Sequence, residues 1–345
     1  MSAASPALRV LVVGAGAFGR NHLRIYRDLA AAGAPIQLTA VVDPDLATRS
    51  TATSEFEVPS FASIEDCLGA LGLPDAASIC VPTRFHASAA EPLLSAGVHC
   101  LIEKPLASSI EEADRILSIA AKHQVLVQTG HLERFNPAVA AARELINRPM
   151  FFEAHRLSVF TPRSLDVDVV LDLMIHDLDI VLSFVDSPVR EIRAVGLPVL
   201  SRKVDIANVR IEFENGCIGN FTASRVSTER VRKLRFFQPH QYLSLDFARQ
   251  DLLMIDVTAA AGVGSAQLAA LIQTLPHGEH PSPGLSLNKV PIEPGEPLRL
   301  EIESFLHVIR TGAKPVVSGE DGRRALALGL AINEEIRRHA TRAGL

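Results

Sequence analysis

The sequence predicts an α/β protein of two domains: a doubly wound parallel sheet, followed by an α+β domain with a large, mostly antiparallel open sheet. Residues 1–128 alternate short β-branched runs with longer helical patterns, which is typical of βαβ units. After Gly130 this rhythm gives way to one helix and then to long extended runs. A chain of 345 residues is also long for a single hydrophobic core. We therefore divide the chain into domains 1–128 and 129–345.

The first domain is expected to contain strands joined by helical crossovers. A connection between parallel strands needs about a dozen residues or more, and helical patterns fill each of these connections. The predicted strands are LRVLVV (8–13), IQLTAVV (36–42), DAASICV (75–81), VHCLI (98–102) and VLVQT (125–129), and the predicted helices lie near 17–32, 45–54, 63–70, 84–96 and 109–122.

The second domain combines helices with hairpins. A helix is predicted near 133–147, and helical patterns return at 299–311 and 320–342, which we expect to pack back on the first domain. Within FENGCI, an Asn-Gly pair between alternating runs is a hairpin signal. Residues 258–298 are rich in Gly, Pro and Ala and indicate an irregular insertion. The extended runs are FFEAHRLSVF (151–160), VREIRAVGL (189–197), ANVRIEFENGCIGNFTAS (207–224), KLRFF (233–237) and YLSLDF (242–247).

Charge and composition favour a small-molecule partner. The net charge of -5 argues against nucleic acid and against an anionic membrane surface, which attract basic proteins. The four cysteines form no C-x-x-C pair, so we expect reduced thiols and a cytoplasmic protein. We find neither a signal-peptide pattern nor the roughly 18 consecutive apolar residues that span a bilayer. We also predict no metal site.

A dinucleotide-binding motif follows the first strand. In VLVVGAGAFGRNH, Gly14, Gly16 and Gly19 form the pattern G-x-G-x-x-G, with Ala17 and Phe18 inside it. The three glycines serve a tight turn, close approach of the backbone to a pyrophosphate, and helix packing, with the diphosphate at the helix N-terminus. A glycine-rich turn without function would also match, but the position between strand and helix favours a binding site.

The second strand ends in VVDPD and supplies an acidic residue for a ribose. Asp43 stands 24 residues after Gly19, where a carboxylate accepts hydrogen bonds from the adenosine ribose. Because Asp43 would repel a 2′-phosphate, we expect NAD, although Arg49 nearby leaves NADP open. The alternative is that Asp43 is only a turn or cap residue in D-P-D.

A lysine follows the strand VHCLI. Glu103, Lys104 and Pro105 stand at the carboxyl edge of the predicted sheet, where open α/β folds bind ligands. The Lys104 ammonium could hydrogen-bond the substrate oxygen that changes between alcohol and ketone. The competing interpretation is a solvent-exposed loop lysine.

The stretch VVLDLMIHDLDIVL (169–182) is an apolar helix interrupted by four ionisable residues. At about 100° per residue, Asp172, His176 and Asp179 fall within a sector roughly 60° wide, and Asp177 lies apart from them. This arrangement predicts a buried helix with one polar stripe. The stripe either hydrogen-bonds neighbouring elements or lines a functional site.

Together these motifs resemble the glucose-fructose oxidoreductase / inositol dehydrogenase / MocA family, over essentially the whole chain. The resemblance implies an N-terminal Rossmann domain that binds NAD(P), and a second domain whose open sheet forms homodimers or homotetramers. It further implies a sugar or cyclitol oxidoreductase. The motifs are G-x-G-x-x-G-x-x-H (Gly14 to His22), P-T-x-x-H (Pro82, Thr83, His86), E-K-P (Glu103 to Pro105) and D-x-x-x-H-D-x-D (Asp172 to Asp179). Besides the glycine-rich loop and Asp43, the residues expected at the cofactor are Pro82, Thr83, His86, Glu103 and Lys104.

The same resemblance implies a catalytic group. His176 would be the general acid/base that removes the hydroxyl proton as hydride leaves for nicotinamide C4. Lys104 and Asp172 would position the substrate and tune the histidine. Asp179 is expected to support the stripe, and Asp177 to be a surface or interdomain residue.

Two basic segments bear on the substrate. RVSTERVRKLR (225–235) contains four arginines, among them Arg232, and EAHRLSVFTPRSLD (153–166) contains His155, Arg156 and Arg163. Arginine suits phosphate or carboxylate recognition, whereas a solvated strand face or a salt-bridged interface would also explain the first segment. We predict Arg163, Arg232 and His155 as substrate contacts and favour a nucleotide-activated sugar.

These segments are similar to the branch of the family that acts on UDP-N-acetylglucosamine, which implies oxidation of the 3-hydroxyl of a UDP-amino-sugar. One departure is that the glycines that often precede the catalytic aspartate are replaced at 168–170, which leaves the substrate contacts open. An inositol or other polyol dehydrogenase is the second hypothesis. A non-catalytic cofactor-binding regulator is the third, and the intact Lys104, Asp172 and His176 argue against it.

Overall fold

The computed structural model describes residues 6–160, 167–256 and 287–344. The chain divides into two compact units. The first contains the described residues up to Leu132 together with Glu296–Leu326, and the second contains those of Glu133–Gly295 and from Ala327 onward. Among the described residues, no helix has the length and apolar character needed to cross a membrane.

Strands and helices occur in the order that the sequence predicts. The strands are β1 Leu8–Val13, β2 Ile36–Val42, β3 Ser60–Phe61, β4 Ala76–Ile79, β5 His99–Glu103, β6 Val127–Gly130, β7 Phe151–Leu157, β8 Val189–Leu197, β9 Ile206–Phe213, β10 Ile218–Ser224, β11 Val231–Gln238, β12 Gln241–Asp246, β13 Asp251–Asp256 and β14 Leu287–Lys289. The helices are α1 Ala17–Ala31, α2 Leu46–Phe56, α3 Ile64–Leu71, α4 His86–Ser95, α5 Ile110–His123, α6 Pro137–Leu145, α7 Ile175–Phe184, α8 Pro297–Thr311 and α9 Gly319–Ala343.

The first unit is built on a parallel sheet with the order β3-β2-β1-β4-β5-β6. This is the strand order of a doubly wound dinucleotide-binding sheet, and it confirms the predicted fold class. Its core includes Val10 and Val12 of β1, Leu23 of α1 and, from the C-terminal part of the chain, Ile302 and Phe305 of α8.

The second unit contains a sheet with the order β14-β13-β12-β11-β7-β10-β9-β8. Only β7 and β10 pair in parallel among its described strands, so the sheet is mostly antiparallel as predicted. The predicted Asn-Gly hairpin joins β9 to β10, where Gly216 has a φ of +83°. In the core of the second unit, Met174 and Leu178 pack with Phe152 and Phe221.

Three details differ from the sequence-based expectation, and one of them is strand β13 at Asp251–Asp256, which was not predicted. The two-residue strand β3 was not predicted, because Ser60–Phe61 carries too short an alternation to register as a strand. The predicted irregular insertion at 258–298 lies mostly outside the described residues; within the described part, 287–289 form β14 and α8 begins at Pro297.

Candidate active site

The loop between β1 and α1 has the form that a diphosphate requires. Gly14 has a φ of +95°, and a Cβ there would lie 2.7 Å from the backbone carbonyl carbon of Cys80. A Cβ on Gly19 would lie 1.9 Å from the carbonyl oxygen of Gly14. A Cβ on Gly16, the N-cap of α1, would meet no atom within 4 Å, and no side chain caps this helix end. Gly16, Ala17 and Phe18 are exposed, so these residues fit a dinucleotide diphosphate at the helix N-terminus.

Asp43 connects this loop to the end of β2. Its carboxylate accepts hydrogen bonds from the Ala15 N–H at 2.8 Å and the Asp45 N–H at 2.9 Å. The second bond is the turn contact that the D-P-D pattern also predicted. A carboxylate has about four acceptor sites, so the half-buried Asp43 keeps capacity for ribose hydroxyls. Arg49 donates to the carbonyl oxygens of Pro44 at 2.8 Å and of Asp43 at 3.3 Å, close to the same strand end.

His86 links the segment after β4 to the segment after β5. The ring nitrogens of His86 lie 2.9 Å from the carbonyl oxygens of Val81 and Pro105, and the residue is 1% exposed. Burial lowers the pKa of His86, so the neutral ring donates to one of these oxygens. Pro82 is exposed and Thr83 half-buried. This geometry supports loop positioning by His86 rather than a direct cofactor contact.

The strand β5 ends at Glu103, and Lys104 follows it. Glu103 is 8% exposed and is bound by His22, whose Nε2 lies 3.0 Å from Glu103 Oε1. Lys104 is half-buried and Pro105 is buried. The Glu103 carboxylate is therefore directed into the first unit, and Lys104 stands at the carboxyl end of the sheet, where its ammonium can meet a ligand.

In the second unit, the predicted acid-base stretch begins with a π-helical turn over Val170–Met174 and continues as α7. Asp168 caps it, because its Oδ1 accepts from the N–H groups of Val170 at 2.9 Å and Leu171 at 3.0 Å. Asp172 and His176 are both half-buried. The replacement of family glycines at 168–170 thus supplies a helix cap.

The prediction that Asp177 is a surface or interdomain residue was wrong. It is 2% exposed, and Arg156 donates to it twice, from Nε at 2.9 Å and from Nη2 at 2.8 Å. Arg156 Nη1 also donates to Glu133 at 2.9 Å, and the guanidinium carbon lies 4.9 Å from the centre of the Phe247 ring. Although burial opposes its charge, the two carboxylates raise the pKa of Arg156.

A second pair in the second unit involves Asp179. The Arg134 Nε lies 3.7 Å from the Asp179 carboxylate, and both residues are buried. Within the sequence LERFNP, Arg134 thus pairs with Asp179 of α7. Glu133 accepts from Arg156, which also donates to Asp177 of α7. Asp179, which was expected to support the polar stripe, thus lies beside Arg134, whereas Asp177 is buried and paired with Arg156 instead of lying at the surface.

The basic segment 225–235 is divided between the two faces of the sheet. Arg225 is buried and donates to the Val167 carbonyl oxygen at 2.7 Å. Lys233 and Arg235 pair with carboxylates of neighbouring strands, at 3.9 Å from Asp246 and 2.7 Å from Glu153. The contacts of these three residues are those of a structural, salt-bridged segment and give no support to substrate binding by them.

Arg232 differs from its neighbours. It pairs in register with Arg156, on the α7 side of the sheet, and its charge acts on Asp177. Its side chain is exposed. His155 alternates with Arg156 on β7 and therefore points to the other face, which speaks against a substrate contact there. Arg163 lies outside the described residues.

Sequence reasoning missed the residues that hold this site in place. Glu133 gave no signal of its own, and Arg156 was noted only as a member of a basic segment, although it is 3% exposed and paired. Tyr26 and Ser78 were also missed. They hydrogen-bond each other at 2.8 Å, and Ser78 is bonded to His22. A buried arginine is recognised only when its carboxylate partners are known.

Two family descriptions match the chain. Residues 8–131 match "Oxidoreductase family, NAD-binding Rossmann fold", and residues 146–238 match the "GFO/IDH/MocA C-terminal domain". The two matches cover the glycine-rich loop and Lys104 in one case, and α7 with Asp172 and His176 in the other.

Individual relatives are similar over nearly the whole chain. UDP-N-acetylglucosamine 3-dehydrogenase of Acidithiobacillus ferrooxidans is 34% identical over 94% of this chain and 96% of its own. The scyllo-inositol 2-dehydrogenase (NAD(+)) of Bacillus subtilis is 25% identical over 96% and 94%. The solved structure of the Acidithiobacillus ferrooxidans enzyme superposes with a TM-score of 0.83 at 32% identity, covering 96% and 98% of the two chains. The WlbA dehydrogenase of Bordetella pertussis, solved with NADH and UDP-GlcNAcA, shares the fold with a TM-score of 0.75 at 17% identity, over 96% and 97%.

Proposed function

Because the chain belongs to the glucose-fructose oxidoreductase / inositol dehydrogenase / MocA family, we propose that it oxidises the 3-hydroxyl of a UDP-amino-sugar such as UDP-N-acetylglucosamine. The observation that carries this proposal is the 34% identity to a UDP-N-acetylglucosamine 3-dehydrogenase along 94% of the chain. At the broader level, the protein is an NAD(P)-dependent sugar dehydrogenase.

The proposed chemistry assigns one task to each residue. His176 removes the proton of the substrate hydroxyl, since an imidazole titrates near neutrality and suits this transfer. The Lys104 ammonium donates to the same oxygen and stabilises the negative charge that develops on it. Asp172 accepts a hydrogen bond from the substrate or from His176 and orients it. When bound, the nicotinamide cofactor supplies the hydride acceptor.

We propose NAD as the cofactor. Gly14, Gly16 and Gly19 would hold the diphosphate, and Asp43 would accept from the ribose. The negative charge of Asp43 disfavours the 2′-phosphate of NADP, and Arg49 is already engaged by two carbonyl oxygens. We further propose a homodimer or homotetramer formed through the sheet of the second unit, as the family resemblance implies.

Oxidation of inositol is the second candidate, favoured by the Bacillus subtilis relative with coverage of 96% of this chain. The decisive experiment follows the absorbance of reduced nicotinamide, with NAD and NADP separately, on UDP-N-acetylglucosamine, N-acetylglucosamine and myo-inositol. We expect turnover only with the UDP-sugar. Turnover of inositol without turnover of the UDP-sugar would replace the first proposal by the second, and no turnover of any of them would favour a regulator.

The catalytic group is tested by a double-mutant cycle. Lys104→Met and His176→Ala should each lower kcat by about 100-fold or more, because each removes one contribution to the same transition state. If both act on one oxygen, the double variant should lose much less than the product of the two single losses. Undiminished kcat in either single variant would remove that residue from the mechanism. Lys122→Met, at an exposed position of α5, is the control.

A further inference from the structure

A buried chain of hydrogen bonds runs from α1 to the residue before Lys104. Tyr26 Oη lies 2.8 Å from Ser78 Oγ, which in turn lies 3.1 Å from His22 Nδ1. His22 Nε2 lies 3.0 Å from Glu103 Oε1. Tyr26, Ser78 and His22 are 0% exposed. Burying polar groups costs several kcal/mol unless each is paired, and here the pairing is continuous.

One assignment of the hydrogens runs through the whole chain in a single direction. Burial raises the pKa of Tyr26, so its phenol keeps the proton and is able to donate to Ser78. The Ser78 hydroxyl then donates to Nδ1 of His22, and Nε2–H of His22 donates to the Glu103 carboxylate. In this assignment His22 carries its donated hydrogen on Nε2, and each hydrogen is used once. The last bond, to a carboxylate, is of the stronger, charge-assisted kind.

The Glu103 carboxylate is also confined by the neighbouring strand. Its register partner on β6 is Gly130, and a Cβ on Gly130 would lie 2.8 Å from Glu103 Oε1. Any side chain at position 130 would therefore displace the carboxylate. Gly130 thus leaves the space that the Glu103 carboxylate occupies, and His22 binds the carboxylate there, at the end of β5.

We propose that His22 is a positioning residue for Lys104, acting through its hydrogen bond to Glu103. His22 belongs to α1, the helix whose N-terminus fits the diphosphate, so the bond fixes the lysine relative to the cofactor site within one unit. A displacement of about 1 Å at a catalytic group can cost about 100-fold in rate. The proposal rests on the proposed catalytic role of Lys104.

Two amide variants separate the bonds of His22. His22→Gln places a side-chain N–H where Nε2 was and keeps the donor to Glu103, whereas His22→Asn keeps only the shorter reach to Ser78. We expect His22→Gln to retain kcat within about threefold, and His22→Asn and His22→Leu to lose about 10- to 100-fold, with little change in the KM for NAD. His99→Leu is the matched control, since it removes a histidine bond to the Leu126 N–H at the other end of β5 and should leave kcat unchanged.

A second measurement does not depend on turnover. Hydrogen-deuterium exchange of the segment 103–106, in protein without added cofactor, should be faster in His22→Asn and His22→Leu and unchanged in His22→Gln. If His22→Leu does not fold, the two amides decide the question. Equal loss of kcat in Gln and Asn variants, or normal exchange in all of them, overturns the inference. A normal kcat in His22→Leu beside an inactive Lys104→Met overturns the inference alone, whereas full turnover by Lys104→Met overturns the proposed mechanism.

Discussion

The Arg156 guanidinium donates two hydrogen bonds to the Asp177 carboxylate, which follows His176 in the chain. The pair is buried against the sheet, with Arg156 3% and Asp177 2% exposed. Loss of either partner leaves a buried charge without its counterion, which is far more costly than loss of an exposed pair. The position of α7, and so of its proposed general base, depends on this bond.

Replacement of Arg156 should therefore cost more than replacement of an arginine on the other sheet face. We expect Arg156→Met to lower the free energy of unfolding by about 3 kcal/mol or more. Arg235→Met, which breaks the half-exposed pair with Glu153, should lower it by less than about 1 kcal/mol. Urea unfolding of both variants measures the difference, and equal losses would contradict the anchoring role of Arg156.

Asp205 should make the stabilisation of the loop between β8 and β9 depend on pH. Its carboxylate accepts from the N–H groups of Val199, Leu200 and Ser201 at 2.7 to 2.8 Å. Burial alone would raise the pKa of Asp205, but these bonds outweigh it and lower the pKa from 3.8 to about 2. Because the folded pKa is depressed, the stabilisation is complete above about pH 4 and is lost as pH falls through 2.

The corresponding prediction concerns Asp205→Asn. At pH 7 the variant should lose about 2 kcal/mol of unfolding free energy, and this difference from the native protein should shrink between pH 4 and 2. The measurement is unfolding free energy against pH, with Asp186→Asn, at an exposed position, as the control. A loss that does not change with pH would show that the charge of Asp205 is not what stabilises the loop.

The parallel sheet was predictable because its signals are local. Its strands other than β3 are short apolar runs, and Gly19 is required by its contact with Gly14 inside the β1-loop-α1 motif, whereas the contact that requires Gly14 is with Cys80, just after β4. The π-helical turn at Val170–Met174 was not predictable, since the sequence gives the same apolar spacing for an α-helix. The stripe calculated at a constant angle per residue therefore describes the start of this helix only approximately.

The pairing of the charged residues could be predicted from the sequence only in part. Arg156 meets Asp177 and Glu133, which are 21 and 23 residues away in the chain, so its pairing depends on the tertiary fold. In contrast, the alternation of β11 contains the distinction between Arg232 and Arg235, because residues an odd number apart on a strand face opposite sides. That signal was available in the sequence, and the basic segment was nevertheless treated as one patch.

Arg232 and Arg235 give a matched pair for the substrate class. Arg232 lies on the α7 side of the sheet, and Arg235 on the other. We expect Arg232→Ala to raise the KM for UDP-N-acetylglucosamine by about 10-fold or more, since a hydrogen bond to a charged group contributes about 1.5–3 kcal/mol. Arg235→Ala should leave KM unchanged. Steady-state kinetics decides, and an unchanged KM in both variants would remove the reason for an anionic substrate contact at Arg232.

Asp43 tests cofactor choice separately from loop structure. Asp43→Asn keeps an oxygen that can accept from the Ala15 N–H but removes the charge that opposes a 2′-phosphate. We expect the KM for NADP to fall and that for NAD to rise, so that the preference for NAD shrinks by about 10-fold. Asp43→Ala also loses the bond to Ala15, and its unfolding free energy should fall by about a further 1 kcal/mol. Asp45→Asn keeps the cap of α2 at Thr48 and should change neither KM; an unaltered cofactor preference in Asp43→Asn would leave Asp43 as a loop residue only.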